Sequence, residues 1–209
     1  MPPDATVSHH RGQVVLDAIF DTTLTLIAER GYAFSVDEIA ETAGVHKSTI
    51  YRRWSTKAAL VGSAVERQAS IEVPIPDTGA PVLDLTTLAL LVAKSLRTRA
   101  GAQAIRSVVA AASEDPEIVD VARRFLGARY EAAVELVNRA ISKGELRSDV
   151  DPVLVWQAMV NPLHLRAVLD QPADDATARR LVALVLDGAR SQQAADEARP
   201  SGSGAEKMR

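Results

Sequence analysis

The stretch Ser35-Val36-Asp37-Glu38-Ile39-Ala40-Glu41-Thr42-Ala43-Gly44-Val45-His46-Lys47-Ser48-Thr49-Ile50-Tyr51-Arg52-Arg53-Trp54 reads as two short helices around one glycine. Ser35 and Glu38 have the spacing of a capping box. The serine hydroxyl accepts from the amide three residues on, and the glutamate reaches back to the serine amide. Val36, Ile39, Ala40 and Ala43 then fall on one helical face. Gly44-Val45 ends that helix, and a second one is expected over 46–53, with Ile50 and Trp54 turned inward. Helices of two turns or fewer are marginal alone, so neighbouring elements must hold this pair.

Those neighbours lie on both sides. Upstream, Leu16, Ile19, Phe20, Thr23, Leu26 and Ile27 recur at helical spacing over 13–30, and Gly31 supplies the stop. Downstream, Ser55-Thr56 caps a segment from Lys57 to about Ile71 with Leu60, Val61, Ala64 and Val65 on one face. Pro74, Pro76, Gly79 and Pro81 then mark a linker.

Beyond the linker the pattern is again helical. Expected helices cover 83–99, ending near Gly101, then 105–113, 116–143, 152–169 and 174–194. Asp115-Pro116 and Asp151-Pro152 each combine an N-cap with proline at the first helical position. Pro162 is expected to kink its helix. Without any strand pattern, the fold class is all-α: a three-helix head over 13–72, a linker at 73–81 and a helical body over 82–196. Polar arms at 1–12 and 197–209 are expected to be disordered.

Charge adds a function to this layout. The 209-residue chain carries a net charge of −3, which by itself argues against nucleic acid. Yet no carboxylate occurs between Glu41 and Glu66, whereas Lys47, Arg52, Arg53 and Lys57 do. A local cationic patch on a mildly acidic protein fits a polyanion. In a helix-turn-helix, the first helix braces on the backbone and the second enters the major groove with its leading residues. Lys47, Ser48 and Thr49 occupy that leading end, with Tyr51 and Arg52 placed for the flanking backbone. Lys57 adds its charge at the start of the next helix.

Ala28-Glu29-Arg30-Gly31-Tyr32, the stretch Ser35 to Ala40, the stretch Ala43 to Trp54 and Lys57-Ala58-Ala59-Leu60 together resemble the N-terminal DNA-binding domain of the TetR family, over roughly 16–65. The resemblance implies phosphate grips at Tyr51 and Lys57, and backbone contacts at Ser35 and Ser48. It places Lys47, Thr49 and Arg52 near the bases, and Tyr32 and Trp54 as structural aromatics. Three positions depart from the family pattern. His46 replaces a frequent serine and is itself a candidate DNA contact. Ala58 replaces a frequent acid, leaving Lys57 without a local counter-charge, and Ile27 replaces a phenylalanine.

The resemblance also implies a body that dimerises through its last two helices, 152–170 and 174–194, and binds a small effector. Gly188 and Ala189 would admit a partner helix. Arg106, Phe125, Arg129, Trp156, Met159 and His164 are the candidate effector residues. Each has an alternative: core for Phe125 and Met159, surface for Arg106 and Arg129, the partner subunit for His164.

An enzyme is not expected. No Glu-x-x-His pair sits on a core helix, no Ser-His-Asp set or phosphate loop is evident, and Glu114, Asp115, Glu117 and Asp120 read as an acidic helix start. With no cysteine there is no thiolate metal site, and neither a metal nor a cofactor is expected. No export signal or membrane span is legible, so the expected setting is the cytoplasm. The expected function is a dimeric DNA-binding regulator, a repressor released from a pseudo-palindromic operator by a small molecule. A helical ligand-binding or scaffolding protein without DNA activity is the alternative.

Overall fold

A computed structural model describes residues 5–112 and 115–190, which form nine α-helices and no strand. The head holds α1 (Ala5–Arg30), α2 (Val36–Thr42), α3 (Lys47–Tyr51) and α4 (Lys57–Glu72). The body holds α5 (Pro81–Arg97), α6 (Arg99–Ala111), α7 (Pro116–Ser142), α8 (Pro152–Val168) and α9 (Asp175–Ala189). No described helix is long and apolar enough to cross a membrane.

Caps written in the sequence set most boundaries. Asp115 and Asp151 accept amide hydrogen bonds at the starts of α7 and α8, each followed by proline. Asp174 does the same for α9 through Thr177. The main chain continues as helix through Pro162.

Three boundaries fall elsewhere than the periodicity suggests. The first helix starts at Ala5 rather than at residue 13, because extending a nucleated helix costs far less than starting one. Gly101 does not end α5. The break is Thr98, which closes α5 and caps α6 by accepting from the Gly101 amide. The last helix stops at Ala189 rather than at 194, because Arg190 turns extended and bridges Leu146, and the expected tail over 197–209 lies outside the described residues.

The head core gathers Ile19, Ile27, Ile39, Ile50 and Leu60, and Ala111 and Ile118 of the body complete it. Head and body therefore share apolar surface, α1 packing on α6 and α4 on α7. The α4–α7 contact is close: a Cβ on Gly62 would clash with Val121 Cγ1. A second core fills the body with Leu85, Leu88, Leu136, Val137, Met159 and Leu186.

The linker is tied down at several points. Thr78 gives its amide and hydroxyl to the buried Asp84 carboxylate. Arg139 reaches Asp77 at 2.6 Å, and Lys143 donates to the Gly79 carbonyl.

Candidate nucleic-acid interface and interior cavity

The capping box forms as expected. Ser35 Oγ accepts from the Glu38 amide at 3.2 Å, and Glu38 Oε2 accepts from the Ser35 amide at 2.7 Å. A further bond from Arg30 to Glu38 fixes α2 against the end of α1, and these contacts hold the Glu38 carboxyl below its usual range. Gly44 adopts a φ of 66°, the left-handed conformation that the turn requires and that a side chain would strain.

His46 takes the N-cap position of α3 in extended backbone, but its ring makes no capping bond. Ile50, 1% exposed, anchors α3. Around that anchor His46, Lys47, Ser48, Tyr51, Arg52 and Arg53 are exposed, and Thr49 is half-buried. Among the described residues neither Arg52 nor Arg53 makes an ion pair. Lys47 binds Asp37 of α2 at 2.6 Å, and its amine lies 5.6 Å from the Tyr51 ring centroid. Both members of that pair are open to water, so a phosphate can compete for the lysine.

Lys57 is placed differently. Its amine donates to the Tyr32 carbonyl at 2.7 Å and sits 3.6 Å from the Tyr32 ring centroid and 4.9 Å from that of Phe34. Burial pushes its pKa down, against the pull of the Asp115 and Glu38 carboxylates. The two aromatics read as structural are packed within the fold. Trp54 donates to Ser63 Oγ at 3.0 Å and meets Phe20 edge-on, and Tyr32 donates to Asp115 Oδ2 at 2.9 Å.

The Tyr32–Asp115 bond belongs to a clasp that the sequence does not disclose. Thr56 caps α4 and donates to Glu117 at 2.6 Å, so the start of α7 grips the head twice, beside Lys57. In the sequence those carboxylates are indistinguishable from ordinary acidic residues at a helix start.

Between head and body lies a cavity of about 180 Å³. Of the candidate effector residues, Phe125, Arg129, Trp156 and His164 line it, and Arg106 and Met159 do not. Arg106 points to the end of α8, donating to the Ala167 carbonyl at 3.0 Å and reaching Asp170 at 3.4 Å. Met159 is wholly buried in the body core, the alternative weighed for it. The wall also includes residues of the head: Leu24 and Ile27 of α1, and Val61, Val65 and Ala69 of α4. Their apolar faces are indistinguishable in sequence from ordinary core. Burial pushes the His164 pKa down, favouring the neutral ring, which bonds to the Val160 carbonyl.

On the outer faces of α8 and α9, Leu154, Leu165 and Leu184 are 60–73% exposed. Gly188 lies open on the same surface, whereas Ala189 is buried in the chain's own core. Only the glycine of that pair can therefore face a partner helix.

Comparison with known proteins matches both halves. Residues 19–64 match the model described as "Bacterial regulatory proteins, tetR family", and residues 75–185 match "Tetracyclin repressor-like, C-terminal domain". The chain is 33% identical to the HTH-type transcriptional regulator YdeS of Bacillus subtilis, over 86% of this chain and 91% of that one. It is 34% identical to the DNA-binding transcriptional repressor TetR of Mycobacteroides abscessus, over 84% and 94%. Among solved structures, the TetR family transcription regulator SCO0332 superposes with a TM-score of 0.70 at 25% identity, covering 83% of this chain and 97% of that one. With an exposed α3 on a helix-turn-helix head, a helical body and these matches across both, the chain belongs to the TetR family of DNA-binding transcriptional regulators.

Proposed function

We propose that the protein is a homodimeric repressor, acting in the cytoplasm, that grips a pseudo-palindromic DNA site and lets go when a small molecule fills the cavity between head and body. The position of that cavity carries the reading. One wall is α1 and α4 of the head, the other is α5, α6, α7 and α8 of the body, so a guest changes the packing that sets the head's orientation. A ligand shifts such an equilibrium only by its differential affinity for the two arrangements, and a guest that needs the walls apart has that difference.

On the DNA side, His46, Lys47, Ser48 and Thr49 lead α3 into the major groove, and Tyr51, Arg52 and Ser35 take the flanking backbone. Lys57 orders the Tyr32–Phe34 corner, and the N–H groups of its amine left over from the Tyr32 carbonyl can take a phosphate. The exposed leucines of α8 and α9 support pairing with a second copy, two heads then reading half-sites about one helical turn (~34 Å) or more apart.

A gel shift on the DNA upstream of its own reading frame tests this at low salt. Binding that weakens steeply as salt rises is the expected result, and none at low salt overturns the reading. For the dimer, Leu184→Glu should give a monomer by sedimentation, with operator affinity reduced by about a hundredfold or more as the second head's contribution is lost. A variant that remains dimeric places the interface elsewhere.

A further inference from the structure

The cavity's polar groups can be followed to their partners one by one, and two kinds remain unspent. Tyr32 donates to Asp115, Tyr130 to Asn161 Oδ1 at 2.9 Å, and Ser107 to the Gln103 carbonyl at 2.7 Å. Glu72 is engaged at both oxygens, by Gln68 Nε2 at 2.7 Å and by Ser95 Oγ at 2.9 Å.

His164, a neutral ring, gives its N–H to the Val160 carbonyl. Two donors remain. Trp156 is 3% exposed, and its buried Nε1–H has no partner among the described residues. Such a buried donor is costly to leave unmade. Arg129, half-buried in α7, gives one amino group to the Val73 carbonyl and lies against the Phe125 ring, 5.9 Å from its guanidinium carbon. Among the described residues no carboxylate forms an ion pair with it. Burial pushes its pKa down with no anion to offset the effect. The rest of the wall is mainly Val, Leu, Ile, Ala and Phe.

An apolar chamber with an unpaired cation and a spare N–H, its own carboxylate already engaged, is complementary to an apolar anion. The volume sets the scale: a cavity of roughly 150 Å³ takes up one benzene ring, and this one is about 180 Å³. Planar, two-pronged recognition of carboxylate is the guanidinium's particular chemistry.

We propose that the effector is a small monocarboxylate with an apolar body of about one ring, held by Arg129, with Trp156 Nε1–H donating to one of its oxygens, and that it competes with the Val73 carbonyl for the guanidinium. This rests on the reading of the cavity as the effector site. Val73 is the C-cap of α4, the helix whose other end carries Thr56 and Lys57 beside α3. Arg129 therefore ties α7 to the far end of the helix that supports the reading edge. A carboxylate that takes the guanidinium loosens this tie while the apolar body presses on α4.

The test is calorimetry of the full chain with benzoate and cyclohexanecarboxylate against benzamide and cyclohexanecarboxamide, followed by gel shifts on DNA that the protein selects from random duplexes. The acids should bind at least about tenfold more tightly than the amides, as loss of a charge-assisted bond implies. Arg129→Gln should erase that difference, Arg129→Lys should keep part of it, and Trp156→Phe should weaken the acids severalfold, with melting curves checking that each variant folds. The acids should also weaken DNA binding by the wild type, and unliganded Arg129→Gln should bind DNA more weakly even without them.

Acids and amides binding alike, undiminished acid binding by Arg129→Gln, or binding by no member of the panel overturns the proposed ligand class. Acids that bind without weakening DNA binding overturn the competition at Val73. A wild type that binds no DNA instead sinks the regulator reading, and calorimetry still reports the acid preference.

Discussion

At the reading edge, the exposed side chains between His46 and Arg52 answer to neighbours close in the chain. Asp37 lies ten positions from its partner Lys47, and the box that holds α2 spans Ser35 to Glu38. In the cavity the reverse holds. Ile27, Val61, Phe125 and Trp156 come from four helices spread over most of the chain, and each faces the others only because α1 packs on α6 and α4 on α7. The edge is exposed and lightly tied, so its side chains can be spent on a partner at little cost to the fold. The cavity is continuous with the core, so a change there alters stability and head orientation together.

The largest effect should come from removing the anchor beneath the edge. Ile50→Ala should cost about 2–5 kcal/mol and abolish DNA binding, read by thermal melting and gel shift, because the residue is almost fully buried. A mild loss would mean that α3 stays in place without its core contact.

The α4–α7 contact should respond to an added methyl. Gly62→Ala sets a Cβ against Val121 Cγ1 and should cost about 1–3 kcal/mol while altering DNA affinity, and Val121→Ala in the same chain should recover most of both. A stability loss without a change in DNA affinity would break the link between cavity wall and head.

Arg52→Ala should leave the melting temperature unchanged while the log–log salt slope of DNA binding falls by about one, the signature of one lost phosphate contact. If the slope holds but sequence preference relaxes, Arg52 reads a base instead. The smallest effect belongs to Asp37→Asn, which releases Lys47 from its surface partner. It should leave the melting temperature where it is and modestly tighten DNA binding, measured by fluorescence anisotropy. Weaker binding would show that Asp37 positions Lys47 for the DNA.

The same contrast explains what is legible in the sequence. Capping side chains act within one turn, so Ser35, Asp115 and Asp151 announce their helices from adjacent residues alone. The turn at Gly44 and the linker after α4 are equally local. A glycine in a helix's first turn, as Gly101 is, looks in sequence like the end of the preceding helix; the sharper signal is Thr98. Arg106 and Arg129 show the limit for the cavity. Both sit on amphipathic helices, yet only the packing of α6 against α8 and of α7 against the end of α4 turns one to Ala167 and the other to the cavity. Asp115 and Glu117 likewise gain their part in the clasp only when the fold brings Tyr32 and Thr56 to them, 83 and 61 positions away in the chain.

The most direct test of DNA reading by the α3 edge is selection of bound sequences from random duplex DNA by the wild type and by Thr49→Ala, with affinities of the selected sites measured over a range of salt. The expected result is an enriched pseudo-palindrome with half-sites a helical turn or more apart, binding that falls linearly on a log–log salt plot, and an altered preference in the Thr49→Ala selection. No enrichment, or the same preference from both chains with binding insensitive to salt, would contradict a dimer that reads DNA through the leading end of α3.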